Sequence, residues 1–332
     1  MTGFSIRRAW SLGYRALAPR LPAHLAILAV LGILVPLLME IMLREANVVE
    51  AGQTIVGSRT PETSSERLLT LFGLAFGYVL QSGSYFAAWR VALAGRQPTV
   101  AAIAYGIMIG LLVGGLGLVA NFLGDTAMRP LLVSPTLAYL GMIGFFLPLA
   151  LLFALFYTVT AVMMAGVAVV LIVLLIVSYG SGGGFSDGLG GMFASASGGL
   201  VFMALLLAAL TVWLSARMSC VTVLLAERGG FNLPAAIAES WRRTAAAQWK
   251  IVRHLALIGG GLAILFVGAS WLIGGISTVR FMQPGGVLVQ SQLLTILIHL
   301  AVGLPIAFLT VLVPLGIYQQ VEARSPAAEV FE

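Results

Sequence analysis

Charged residues are scarce in this chain of 332 residues, because Lys, Arg, Asp and Glu together make up only 9% of it. Hydrophobic residues make up 60%. A soluble domain is about one-quarter charged, so the composition excludes a protein whose main solvent is water. Several apolar runs approach or exceed the roughly 20 residues that a helix needs to cross a bilayer. The composition therefore predicts an all-α fold, a polytopic bundle of transmembrane helices.

The side chains that most often perform catalysis or bind metals are also scarce. The single cysteine, Cys220, excludes a disulfide within the chain and a cysteine-rich metal site. The two aspartates, Asp125 and Asp187, lie in predicted outer loops. The sequence has no HExxH motif, paired carboxylates or Ser/His/Asp grouping. We therefore expect no enzymatic activity, no cofactor and no bound metal.

Basic residues outnumber acidic ones by 18 to 12, but they are scattered through loops and helix ends. This scatter is typical of membrane orientation signals and does not indicate a nucleic-acid partner. Four arginines (Arg7, Arg8, Arg15 and Arg20) precede the first apolar run. That run is longer than the apolar region of a signal peptide, so we expect it to be retained.

Hydropathy predicts seven apolar segments, of which the fourth, 137–178, is unusually long. As one straight helix its 42 residues would extend about 60 Å, twice the hydrocarbon thickness. A tight hairpin near Tyr157–Thr160 would divide it into two ordinary spans. The seven segments are 21–43, 68–94, 99–123, 137–178, 199–226, 251–276 and 287–319.

The distribution of basic residues favours the divided arrangement, with eight spans and both termini in the cytoplasm. Eight spans place 13 Lys and Arg residues inside and five outside, whereas seven spans place seven inside and 11 outside. Because Lys and Arg concentrate in cytoplasmic loops, we predict eight spans. The predicted organisation is one integral membrane domain, 1–332, that contains an interfacial helix (4–20), spans 1–5 (21–178), a Gly-rich outer loop (179–198), span 6 (199–226), a second interfacial helix (232–249), spans 7 and 8 (251–319) and a cytoplasmic tail (320–332).

Two charged segments have the pattern of amphipathic helices that lie among lipid headgroups. In 232–249, Asn232 is the predicted N-cap, Ile237 shares the Trp face, and the basic residues fall opposite. In 4–20, Trp10 shares a face with Gly13, and the arginines again fall opposite. We predict that both helices bind anionic headgroups of the cytoplasmic leaflet. The expected lipid contacts are Trp10, Arg8, Arg15, Trp241, Arg242, Arg243, Trp249 and Lys250.

The same two segments resemble each other. Trp10 precedes His24 by 14 residues, Trp241 precedes His254 by 13, and Leu-Ala follows both histidines. In the eight-span topology both copies lie on one side of the membrane. The pattern therefore suggests a degenerate parallel duplication.

The run LLAERGGFNLPAAIAESWRRTAAAQWKIV resembles the signature of a broad group of bacterial membrane proteins. The group includes the membrane domain attached to some glycerophosphoryl diester phosphodiesterases and many stand-alone proteins of unknown function. The resemblance implies a bacterial inner-membrane protein. It does not imply phosphodiesterase activity, because the sequence contains no such soluble domain. The residues that carry the resemblance are Glu227, Gly229, Gly230, Ala235, Ser240, Trp241 and Trp249.

Four polar residues within the predicted spans are candidates for an intramembrane site: Gln81, Asn121, Arg217 and His299. Arg217 has an alternative interpretation as an interfacial residue, if its span ends near Ala216. His299 has an alternative interpretation as a hydrogen-bonded packing residue. A transport pathway would require these four side chains to converge.

Three function classes remain open. The favoured class is a non-enzymatic inner-membrane protein that acts as a scaffold or partner for lipids or envelope proteins, because two basic interfacial helices are predicted. A transporter or permease with a polar site near the bilayer midplane is the alternative, indicated by the duplication and the polar residues. A membrane enzyme that acts on lipids has few candidate residues. The sequence does not identify a protein partner.

Overall fold

The structure is a computed structural model, and it describes residues 4–39, 64–94, 99–126, 150–180, 197–229, 231–281 and 292–322. These residues form helices joined by short turns, and no strand occurs among them. The prediction of an all-α protein is therefore confirmed for the described residues.

The N-terminal part contains two helix pairs. Helix α1 (Ile6–Leu17) leads through a 3₁₀ turn (Ala18–Arg20) into α2 (Leu21–Ala29), which continues as a helix to residue 39 with a π-helical turn at Val30–Leu34. The long helices α3 (Ser64–Ala94) and α4 (Thr99–Thr126) follow.

The C-terminal part begins with a helical segment at 150–156 and ends with the longest helices. Its elements are α5 (Thr158–Gly180), α6 (Ser197–Met218), α7 (Val221–Arg228), α8 (Leu233–Thr244), a 3₁₀ turn (Ala245–Ala247), α9 (Gln248–Phe281) and α10 (Gln292–Glu322).

Four helical segments in the described part are long and apolar enough to cross a membrane: Ile6–Met39, Val201–Arg228, Leu233–Gly268 and Leu300–Glu322. Val100–Leu116 and Thr158–Leu174 are shorter apolar helices. The eight-span count stays a prediction, since the stretches 40–63, 127–149, 181–196 and 282–291, on which it partly depends, lie outside the described residues.

The predicted hairpin near Tyr157–Thr160 is wrong. The Tyr157 amide donates to the Phe153 carbonyl at 2.7 Å, and the Ala161 amide donates to the Tyr157 carbonyl at 2.8 Å. Both bonds have the i to i+4 spacing of an α-helix. The predicted turn residues 158–160 already belong to α5, so Tyr157 alone lies outside the two helical segments. The Thr158 hydroxyl bonds the Ala154 carbonyl at 3.3 Å, which competes with the helical bond to that carbonyl and accounts for the local irregularity. A reversal that divides 137–178 would have to lie within 137–149, outside the described residues.

Helical elements recur along the chain at nearly constant spacing. Helices α1 and α8 each have 12 residues, start 227 positions apart and are each followed by a three-residue 3₁₀ turn. Helices α3 and α10 each have 31 residues and start 228 positions apart. The suggested duplication thus agrees with the order and spacing of these helices. Their spacing is about three residues shorter than the spacing of the Trp pair and of the His pair in the sequence.

The two short helices lie at the same end of the bundle, beside the C-terminal turns of α10. Helix α1 contacts α10 where Gly13 meets Gly316, and α8 contacts it where Arg243 approaches Glu322 at 3.7 Å. We call this end, formed by α1, α8 and the C-terminal turns of α6 and α10, the basic end. It holds the arginine-rich faces of both short helices.

Candidate functional site

Helix α8 begins at the basic end as the sequence predicts. The Asn232 side chain accepts a hydrogen bond from the Ala235 amide at 3.2 Å, and a proline occupies the first turn. This arrangement satisfies one of the amides that a helix start leaves unpaired. The N-cap prediction is therefore confirmed.

Helix α8 packs against the bundle through a face of small residues, whereas its Trp face was predicted to meet lipid. Ala236, Ser240 and Thr244 are completely buried, and Ala245, which follows Trp241 by four residues, is exposed. Small side chains let α8 approach the bundle closely. The sequence pattern emphasised Trp241, because a hydrophobic side chain gives a stronger signal than serine or threonine.

Ser240 connects α8 to the break between α6 and α7. Its hydroxyl donates to the Arg217 carbonyl at 2.7 Å and accepts from the Cys220 amide at 3.3 Å. Thr244 also approaches the Arg217 carbonyl, at 3.4 Å. The hydroxyls therefore satisfy backbone groups that the end of one helix and the start of the next leave unpaired.

Arg217 lies in the last turn of α6, beneath α8. Only 7% of its surface is exposed, and its Cζ lies 4.3 Å from the centroid of the Trp241 ring. Trp213, one turn earlier, meets Trp241 edge-on at 5.4 Å. The Nε and Nη1 atoms are buried without a hydrogen-bond partner among the described residues. Arg217 therefore lies at a helix end, as the interfacial interpretation expects, but is buried there.

Ion pairs join the charged side chains of α8. Glu239 binds Arg242 at 2.7 Å and Arg243 at 2.6 Å. The Arg242 side chain is 77% exposed and that of Arg243 only 20%, so Arg242 is the more available for headgroups.

Tyr318 joins this group to α7 and α10. Its hydroxyl lies 2.6 Å from Glu227 and 2.9 Å from Glu322, and the Arg243 guanidinium lies 5.5 Å above its ring. A phenol has one proton, so it donates to one carboxylate at a time. Tyr318 and Glu322 were not predicted from the sequence, although their i, i+4 spacing was an available signal.

Trp10 of α1 and the preceding Phe4 both contact the His254 ring of α9. Trp10 is 36% exposed and contacts the His254 ring edge-on at 6.0 Å, while Phe4 lies 6.4 Å from the same ring.

Arg8 and Arg15 are exposed. Trp249 and Lys250, which begin α9, are also exposed, Trp249 by 69%. These four exposed residues remain available for the predicted lipid contacts.

The four candidate intramembrane residues are not all described. Gln81 donates to the Tyr85 hydroxyl at 3.1 Å, in an aromatic cluster that includes Tyr157. Its contacts are separate from those of Arg217 with the tryptophans. The side chains of Asn121 and His299 lie outside the described residues.

In the described ranges, metal-binding and thiol side chains do not gather into a site. Cys220 is a free, buried thiol, and no cluster of three or more His, Cys, Asp or Glu side chains occurs in those ranges.

Comparisons of the chain with protein-family models, curated proteins and solved structures give no match. The resemblance to the phosphodiesterase membrane domain therefore stays a prediction.

Proposed function

We propose that this chain is a non-enzymatic, multi-pass protein of a bacterial inner membrane that binds anionic headgroups at its basic end and acts there as a scaffold for lipids or envelope proteins. The single observation that best supports the proposal is the position of α1 and α8 at the same end of the bundle. Both termini would then be cytoplasmic.

The exposed groups at this end suit an anionic leaflet. Arg8, Arg15 and Arg242 are exposed, and Trp249 extends an indole ring from the start of α9. A basic residue near an anionic surface contributes about 1 kcal/mol of attraction, and Trp favours headgroup depth. Three such arginines would together favour an anionic lipid by up to about 100-fold.

The experiment is a lipid competition on the full chain in nanodiscs that contain phosphatidylglycerol and phosphatidylcholine. The variant replaces Arg8, Arg15 and Arg242 with Glu, and a matched control replaces three of the five arginines predicted to lie outside, Arg44, Arg59 and Arg129, with Glu. The proposal expects the enrichment of phosphatidylglycerol around the protein to fall at least tenfold in the first variant and little in the control. Equal enrichment in both would contradict it.

A transporter is the second candidate, and the repeated helix lengths favour it, because parallel internal repeats are common in transporter folds. Helix α10 also contains Pro305 and Pro314, which introduce kinks in membrane helices. A transporter that opens along α3, where the Ser82 hydroxyl bonds the Tyr157 hydroxyl, would expose Ser82, which is 1% exposed here. Labelling of the Ser82→Cys variant by a maleimide in native membranes would favour this alternative over the scaffold.

A further inference from the structure

Arg217 is a buried cation with no acidic partner among the described residues. The two acids nearest to it along the chain, Glu227 and Glu239, are engaged elsewhere: Glu227 accepts from Tyr318, and Glu239 binds Arg242 and Arg243. Its Nε and Nη1 atoms have no acceptor in the described ranges. A buried charge without a partner is unfavourable, so an anion at this position would stabilise the folded protein.

The surroundings of Arg217 suit an anion that approaches from the membrane boundary. The Trp241 ring holds one face of the guanidinium at 4.3 Å, and Trp213 fixes that ring from the side. Ser240 holds the Arg217 backbone through its carbonyl, so the position of the residue is constrained. Arg217 keeps 7% of its surface exposed, but its Nε and Nη1 atoms are enclosed, so a ligand that arrives where α6 ends would meet the remaining guanidinium nitrogen, Nη2, first.

We propose that Arg217, held on the Trp241 ring, is the anchor of a binding site for a phosphate group. Guanidinium donors form strong, charge-assisted hydrogen bonds with phosphate oxygens. The phosphate of an anionic phospholipid and free inorganic phosphate share this chemistry. The inference rests on the proposed function and adds to it one specific position for a headgroup.

The test is a titration of the full chain in a neutral detergent with three probes: dihexanoyl phosphatidylglycerol, dihexanoyl phosphatidylcholine and inorganic phosphate. Binding is measured by the rise in thermal stability and by native mass spectrometry. The variant is Arg217→Gln, Arg217→Lys tests rescue by charge, and Arg228→Gln is the matched control, because Arg228 is an exposed arginine at the end of α7 that has no proposed lipid contact. We expect phosphatidylglycerol to bind at least tenfold more weakly to Arg217→Gln, partly recovered in Arg217→Lys and unchanged within twofold in Arg228→Gln.

The outcomes separate the sources and the proposals. Binding of phosphatidylglycerol alone assigns a lipid headgroup, whereas equal binding of inorganic phosphate assigns the free anion. If Arg217→Gln binds phosphatidylglycerol like the unmodified chain, the Arg217 site is wrong while headgroup binding by the short helices stands. If the unmodified chain binds neither phospholipid and no inorganic phosphate, both proposals fail. If it binds phosphatidylglycerol and phosphatidylcholine equally and Arg217→Gln weakens both, the phosphate site stands and the preference for anionic headgroups fails.

A second variant covers the case in which Arg217→Gln does not fold. Trp241→Leu keeps an apolar group but removes the ring that positions the guanidinium. Its control is Phe202→Leu, which removes an exposed aromatic ring from α6, the helix that carries Arg217. We expect at least threefold weaker phosphatidylglycerol binding in Trp241→Leu and no change in Phe202→Leu. Equal binding by these two variants would overturn the site.

Discussion

Glycine determines how closely α1 approaches α10. A Cβ atom at Gly13 would lie 2.6 Å from the Leu312 carbonyl oxygen, and one at Gly316 would collide with the Ala9 carbonyl. Helices approach this closely only where small residues meet. The sequence placed Gly13 on the Trp face that was predicted to meet lipid, whereas the structure packs Gly13 against α10. It gave no indication of Gly316, because a contact between distant parts of the chain has no local pattern.

Gly13→Ala should therefore destabilise the protein by about 1–3 kcal/mol, the usual cost of overpacking a tight contact. Gly261→Ala is the control, since a Cβ there meets nothing within 4 Å and alanine favours a helix over glycine by about 0.5–1 kcal/mol. Thermal unfolding of the two variants in detergent checks this. Equal unfolding midpoints of the two variants would contradict this expectation, because they would mean that α1 and α10 can move apart at little cost.

At the scale of elements, the sequence predicted where α8 starts and which residues carry its charge. It did not predict the buried face, because Ala236, Ser240 and Thr244 contribute little hydrophobicity and their role depends on backbone groups of α6 and α7. The prediction of a hairpin near Tyr157 was wrong for a related reason. Length alone indicated a reversal, and the helical hydrogen bonds on both sides of Tyr157 leave no trace in hydropathy.

Ser240→Ala should destabilise the attachment of α8, because the Cys220 amide loses its partner and the Arg217 carbonyl keeps only the longer contact with Thr244. A buried group left unpaired costs about 1–3 kcal/mol. Ser11→Ala is the control: that hydroxyl also bonds a helix carbonyl, Arg8, but at an exposed position. The measurement is hydrogen exchange of α8 amides, which should accelerate in Ser240→Ala alone. Unchanged exchange would mean that the hydroxyl is dispensable.

At the scale of the whole molecule, composition was sufficient to predict a helical membrane protein, and charge bias gave a topology. The described helices agree with that class, with four segments able to cross a bilayer. The matching lengths of α1 with α8 and of α3 with α10 were only partly visible in sequence. Helix length depends on packing and turn geometry, which many different apolar sequences satisfy equally well.

The most direct test of the account is the side of the membrane on which α1 and α8 lie. Ser11→Cys and Ala238→Cys place thiols at exposed positions of the two helices, Ser186→Cys marks the predicted outer loop, and the native Cys220 is buried. In bacterial cells, a membrane-impermeant maleimide should label only Ser186→Cys from outside, and in inside-out vesicles it should label only the other two. Labelling of Ser11→Cys and Ala238→Cys from opposite sides would contradict a shared cytoplasmic basic end.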